Sequence, residues 1–152
     1  MKLLVVHELF PPQFSGGGEK LLWEICKQLR KKHKVIVFTS GDPKVKNYKR
    51  IYTLRVPFHR IIFAWLSLGK IIALAKRNDI VIGNTYHSAI PVAIASYLLK
   101  KPSICIVHGA YGWRWVDINL LLGIFAIILE KLIFKMPFKY FLFFSDFSKE
   151  EA

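Results

Sequence analysis

Hydrophobic and polar residues alternate between two periods along the chain. Short runs rich in Val, Ile, Leu and Phe recur at residues 3–7, 35–39, 51–56, 80–82, 103–107 and 141–144, each bounded by polar or turn residues, and predict strands. Between most of them, apolar residues three and four apart predict helices over 19–32, 61–77, 89–99 and 119–134. Strands alternating with helices imply βαβ units, right-handed crossovers and a parallel sheet, hence an α/β fold. Pro102 separates the third helix from the next strand and Pro137 closes the fourth. The segment 145–151 reads as a cap and first helical turn, so the chain is expected to be a piece of something longer. There is no internal repeat and no low-complexity linker.

The first unit is the most informative. Leu3 to Val6 is strand-like, whereas His7 to Ser15, with Pro11-Pro12, continues neither strand nor helix. Gly16, Gly17 and Gly18 open a helix with Glu19 in its first turn and Leu21, Leu22, Ile25, Cys26 and Leu29 as its apolar stripe. Glycines at a helix N-terminus let backbone N–H groups approach an anion, which the helix dipole favours. The spacing does not fit a dinucleotide fingerprint, because ten or so residues separate the strand from the glycines. Nor is it a P-loop, because Glu19-Lys20-Leu21 follows the glycines.

Composition narrows the partners. The chain has 152 residues, one domain by length, and its 53% hydrophobic content excludes disorder and suits strands covered on both faces. A net charge of +13 implies an anionic partner of some kind, whether nucleic acid, an anionic membrane surface or a phosphorylated substrate, and 12 Lys or Arg residues with one acid, Asp79, lie between Pro43 and Val116. Cys26 and Cys105 fall in apolar surroundings and read as buried hydrophobes. No signal peptide is evident, which points to the cytoplasm. The apolar stretch 118–129 ends at Glu130-Lys131, short of the roughly 20 residues needed to span a bilayer. With Lys135, Lys139 and Pro137 following, it reads as a helix lying on a membrane surface.

Ligands of an open α/β sheet bind beyond the carboxyl ends of its strands. Those ends carry His7, Ser40-Gly41, Asn84, Thr85, Tyr86, His87, His108-Gly109 and Ser145, next to the triple glycine. A neutral imidazole at His108 can hydrogen-bond a hydroxyl or carbonyl, and Gly109 lets the chain turn away. Tyr111, Trp113, Arg114 and Trp115 follow; their aromatic rings suit sugars and Arg114 suits a phosphate, though the same residues would equally cover a sheet edge or dock a partner. The five histidines lack metal-ligand spacing, so no metal site is expected.

These residues carry a resemblance. Leu3 to His7 through Phe10-Pro11-Pro12, Gly16-Gly17-Gly18-Glu19, Val35 to Thr39, Asp79 to Asn84, Lys101-Pro102 through Val107-His108-Gly109, and Phe144-Ser145 with Lys149-Glu150-Glu151 occur in order. Together they resemble the N-terminal domain of a family 4 (group 1) glycosyltransferase of GT-B fold. The resemblance implies a three-layer Rossmann-like domain with a mostly parallel sheet of six or seven strands, one half of a GT-B pair. It implies an acceptor-side domain over residues 1–152, with the donor-binding C-terminal domain absent from this chain. Transfer would retain anomeric configuration, use a nucleotide-sugar as donor substrate and need no cofactor or metal. His108 would reach the transferred sugar as the catalytic residue. Gly16, Gly17, Gly18, Glu19, Asn84, His87, Gly109, Trp113 and Arg114 would line the donor or acceptor site. The implied partners are a nucleotide-sugar and a glycan or lipid-linked acceptor.

Two other classes fit the residues. One is a non-catalytic basic α/β module that docks on an anionic membrane surface or nucleic acid. The greasy segments beside basic ends favour membrane over nucleic acid. The other is a complete nucleotide-binding enzyme of flavodoxin-like type, disfavoured by the unfinished terminal helix. The apolar segment also makes self-association to a homo-oligomer an expectation.

Overall fold

The computed structural model describes residues 1–13, 16–84, 86–118 and 120–150. Ser15, Thr85 and Glu151, which the sequence reading names, lie outside the described residues, as does position 119 at the start of the predicted fourth helix.

Seven strands form one sheet: β1 (Lys2–Val6), β2 (Lys34–Ser40), β3 (Asn47–Tyr48), β4 (Ile51–Val56), β5 (Ile80–Asn84), β6 (Ser103–Val107) and β7 (Tyr140–Phe143). Their order is β3-β4-β2-β1-β5-β6-β7, parallel throughout except for the antiparallel β3–β4 pair. The fold is therefore α/β with a mostly parallel sheet, as the alternating pattern predicts. The order reverses direction between β1 and β5, which is where such sheets bind ligands.

The helices are α1 (Gly17–Leu29), α2 (Arg60–Leu66), α3 (Leu68–Lys76), α4 (Ala89–Leu98), α5 (Trp115–Ile118), α6 (Leu120–Phe134) and α7 (Asp146–Glu150), with a 3-10 turn at Gly112–Arg114. Strand alternation gives each buried strand two faces. On one, Leu3, Val5, Val37, Ile82 and Ile106 pack with Leu22 and Cys26 of α1. On the other, Leu4, Val6, Phe38 and Val81 pack with Ile71 and Ala75 of α3 and Val92 and Ala95 of α4. Cys105 and Val107 extend that second face beneath Ile133 of α6. Helices cover both faces, giving three layers.

Three expectations change. The predicted helix 61–77 is divided at Ser67 into α2 and α3. The buried positions Phe63, Ser67, Ile71 and Ala75 keep a spacing of four across the break, which is why the sequence reads as one helix. The predicted helix 119–134 is preceded by α5 at Trp115. Finally, Lys44 to Arg50, to which the hydrophobic pattern assigns no element, contains β3 and a hairpin whose central residues Lys49 and Arg50 have φ of 43° and 69°. Lys49 stays there with its ammonium 5.0 Å from the Trp23 ring and 5.7 Å from the Tyr48 ring.

Both cysteines are free and buried, and burial pushes each thiol up to about 12. They act as small hydrophobes, as their sequence positions predict.

Candidate functional site

The alternation that builds the core also builds the site. Val37, Val5, Ile82 and Ile106 point toward α1 from four neighbouring strands. Two residues further on, at the carboxyl end of each strand, stand Thr39, His7, Asn84 and His108. The same pleat therefore carries four polar side chains to one edge of the α1 face.

The first part of the row is fixed by the loop after β1. The His7 Nδ1 accepts the Leu9 N–H at 3.0 Å, so the ring's proton sits on Nε2. Phe10 is fully buried beneath the loop. Arg55 of β4 clamps the loop from outside: its guanidinium donates to the Phe10 and Pro11 carbonyls, and its Nε donates to Val45 O at 3.2 Å. Burial lowers the Arg55 pKa, a tendency the nearby Asp42 charge opposes.

The triple glycine sits directly above. Gly16 caps α1, and Glu19 in the first turn accepts the Gly16 N–H at 2.8 Å. This is half of a capping box; glycine has no side chain to return the bond. Around Gly17 there is open space, while a Cβ on Gly18 would lie 3.5 Å from His108 Cδ2. The first turn of α1 thus rests against the His108 ring. On its other side that ring stacks on Phe144, centroids 5.8 Å apart and planes within 8°.

Electrostatics keep both histidines neutral. Burial lowers His7 from 6.5 to about 4, with Glu19 pulling weakly upward. His108 is also lowered to about 4, by burial first and by His7 second, again opposed by Glu19. Desolvation thus disfavours the imidazolium form of both rings and favours a neutral imidazole that can hydrogen-bond. Three atoms of the row have no hydrogen-bond partner among the described residues: Thr39 Oγ1, Asn84 Oδ1 and His108 Nε2, all buried. Buried polar atoms are ordinarily paired; these three belong to a larger set that includes Ser67 Oγ, Asn78 Oδ1 and Ser96 Oγ away from the row, and what sets them apart is their place at the switch point.

Of the residues singled out from sequence, the structure brings together Gly16, Gly17, Gly18, Glu19, Asn84 and His108, with His7. The Asn84 backbone is tied to Ser88, donating to its Oγ at 3.3 Å and accepting from it at 2.8 Å. Gly109 adjoins the row, and its carbonyl accepts the Tyr86 hydroxyl at 2.6 Å. His87 turns away into an apolar pocket with Trp65, Ile90 and Phe125. Trp113 is exposed, with the Lys131 ammonium 5.3 Å from its ring, and Arg114 lies over Phe147 at 4.7 Å. Ser145 is the cap of α7, accepting the Ser148 N–H at 3.1 Å.

Two contributors lack a sequence signal. Thr39 reads as an ordinary strand residue until register places it beside His7. Glu130 reads as the polar end of a greasy helix. It is buried, and its carboxylate accepts the Tyr111 N–H at 3.3 Å, the Gly112 N–H at 3.0 Å and Trp115 Nε1–H at 2.9 Å. It holds the loop after β6, and so the turn at Gly109. Among the described residues, no cluster of three or more His, Cys, Asp or Glu is placed to hold a metal.

A sheet of this order, with a polar row at its switch point under a glycine-capped helix, defines a Rossmann-like domain of the kind found as the N-terminal half of GT-B proteins. A model of Glycosyltransferase Family 4 matches residues 15–150, and the chain belongs to that family. No curated protein matches the chain. Among solved structures, the S. aureus MnaA–UDP co-structure superposes with a TM-score of 0.65 at 11% identity, over 99% of this chain and 39% of that one. A putative UDP-N-acetylglucosamine 2-epimerase from Listeria monocytogenes gives 0.58 at 12% identity, over 99% of this chain and 40% of that one. A short-chain dehydrogenase/reductase from Veillonella parvula, in complex with NADP, gives 0.57 at 9% identity, over 91% and 66%. At such identities the likeness is one of fold. The chain spans about two-fifths of the length of the first two.

Proposed function

We propose that this chain is the acceptor-side domain of a retaining glycosyltransferase that moves a sugar from a nucleotide-sugar to a glycan or lipid-linked acceptor. The row Thr39–His7–Asn84–His108 beneath the N-terminus of α1 would form one wall of its cleft. The observation that carries the reading is the convergence of His7, Asn84 and His108 at the switch point, with the first turn of α1 at Gly18 resting on the His108 ring. Membership of Glycosyltransferase Family 4 supports the reaction class. The UDP bound in the S. aureus structure supports a nucleotide-sugar as the ligand type.

In this reading the residues divide the work. The first-turn N–H groups of α1 at Gly17 and Gly18, which have no partner within the helix, and the α1 dipole would meet the donor's diphosphate. His108, neutral and wedged between Gly18 and Phe144, donates or accepts a hydrogen bond at a hydroxyl of the transferred sugar. Asn84 and Thr39 take further hydroxyls. Sugar transfer also needs cationic stabilisation of the departing diphosphate and a water-poor cleft. The row has no cation of its own, so a second domain facing it would supply both. We place the enzyme in the cytoplasm, peripheral at a membrane.

The isolated chain is then expected to bind UDP and UDP-N-acetylglucosamine weakly, with Kd above about 100 μM. Nuclear magnetic resonance shifts should be confined to Gly16–Gly18, His7, Asn84 and His108. Submicromolar binding would overturn the two-wall reading. Shifts elsewhere on the surface would remove the row from the site.

A further inference from the structure

Helix α6 is apolar on two opposite sides. Its packed side is Gly123, Ile127, Glu130 and Ile133. Leu121, Phe125, Ile128 and Leu132, spaced by four, three and four, form a second stripe that is 80%, 65%, 61% and 44% exposed. The next step of three reaches exposed Lys135, with exposed Lys131 at the stripe's edge. A helix at the surface of a globular domain normally turns polar residues to that side. Single exposed apolar residues are common; a continuous row of four large ones marks an interaction surface.

Helix α2 enlarges the surface. Ile62, Trp65 and Leu66 are exposed. Trp65 and Phe125 line the same apolar pocket of about 130 Å³, with His87 among its residues. The two helices therefore present one face, which reaches the loop after β5 and thus the rim of the candidate site.

We propose that the α2–α6 face docks the chain on an anionic lipid bilayer, with α6 lying in the interfacial plane and the Trp65–Phe125 pocket taking a lipid chain. This deepens, and rests on, the acceptor-side reading above: the acceptor would be lipid-linked and would reach the row from the same layer. Length decides between lying and crossing. At about 1.5 Å per residue the 15 residues of α6 extend roughly 22 Å, short of a hydrocarbon core of about 30 Å. Among the described residues no helix is long and apolar enough to cross a membrane. Charge decides between a bilayer and a second copy. The only acid on α2 or α6 is Glu130, which is buried, while Lys131 and Lys135 border the stripe and the chain carries +13. Such a face attracts anionic headgroups and repels another copy of itself. Tryptophan at its edge suits the interfacial layer, where a ring can be half wet and half apolar.

The test is cosedimentation of the 152-residue chain with phosphatidylcholine vesicles, with and without phosphatidylglycerol. Binding is expected to the anionic vesicles and to weaken with salt. The Leu121→Glu/Phe125→Glu variant should lower the partition coefficient at least about tenfold with circular dichroism unchanged, since both side chains face solvent. Lys131→Glu/Lys135→Glu should remove most of the preference for phosphatidylglycerol. Brominated acyl chains should quench a fraction of the tryptophan emission that disappears in Trp65→Phe. Absence of binding to anionic vesicles, or binding undiminished by the two glutamates, would overturn the proposal. So would a dimer in light scattering that the same glutamates disperse. A chain that ignores vesicles yet shows the weak UDP shifts at the row would sink this surface and leave the transfer reading standing.

Discussion

His7 and His108 meet edge to face, their ring centroids 6.4 Å apart and their planes inclined by 61°. The contact joins two strand ends separated by β5, so it forms only once β1, β5 and β6 have paired. It also fixes how the fold responds to acid. Both rings are held near 4 in the folded chain, and each returns to about 6.5 when the chain unfolds. Between those values the unfolded state binds more protons, so stability is full above pH 6.5 or so and is lost as pH falls toward 4. For His7, the more deeply buried, the loss is on the order of 3 kcal/mol. Thermal unfolding should therefore show the melting temperature falling most steeply between about pH 6.5 and 4.5. His7→Gln, whose side-chain oxygen can still accept the Leu9 N–H, should flatten that fall. An unchanged slope in the variant would mean that His7 is not the group responsible.

Gly18 separates stability from binding. A Cβ there would make ordinary contact with the His108 ring at 3.5 Å, so Gly18→Ala should fold normally and gain up to about 1 kcal/mol of helix propensity. Gly18→Leu has no room for its branches without moving the ring. Both should weaken UDP binding by narrowing the approach to the helix N-terminus, the leucine more severely. Unaltered UDP shifts in Gly18→Leu would show that the ligand does not use this turn.

The sequence makes the α/β class, six of the seven strands and the packed stripe of α1 legible, because each depends on local periodicity alone. The hairpin at Lys49-Arg50 is hidden. A two-residue turn with positive φ at both positions is normally signalled by Asn or Gly, and here two long cations occupy it. The candidate site is legible in part. Strand-end polarity and the glycines select His7, Gly16 to Gly18, Asn84 and His108 correctly as neighbours. Register places Thr39 beside His7, and register is a property of pairing across the sheet that no single strand reveals; His87 lies in the turn between β5 and α4 and lines the Trp65–Phe125 pocket. Glu130 is hidden for a different reason: its donors Tyr111, Gly112 and Trp115 lie 15 to 19 residues earlier, and its fourth donor, the Tyr86 hydroxyl at 3.1 Å, lies 44 residues earlier.

Glu130→Gln tests that buried carboxylate. The amide keeps one acceptor oxygen but turns an NH2 toward donors, weakening the charge-assisted bonds from Tyr86, Tyr111, Gly112 and Trp115. Urea unfolding should show a loss of roughly 2 to 3 kcal/mol, with Trp115 fluorescence shifted toward that of a solvated indole. Stability within a few tenths of a kcal/mol of the parent would show that the loop is held by packing, with the Tyr111–Trp115 ring contact at 4.9 Å the first alternative.

Gly123 and Gly69 give the same substitution opposite signs. Both sit inside helices, where alanine is favoured over glycine by about 1 kcal/mol. Around Gly69 nothing lies within 4 Å, so Gly69→Ala should realise that gain. At Gly123 a Cβ would stand 2.5 Å from the Trp115 carbonyl oxygen and 2.8 Å from the Val116 Cα, both backbone atoms of α5 that cannot swing aside. The helices would have to part, straining the bond from Trp115 Nε1 to Glu130. Gly123→Ala should therefore lower stability by roughly 2 to 3 kcal/mol and raise amide exchange over 112–118, while Gly69→Ala raises stability. Equal effects from the two substitutions would refute the close α5–α6 crossing and, with it, the anchoring of the loop that bounds the site.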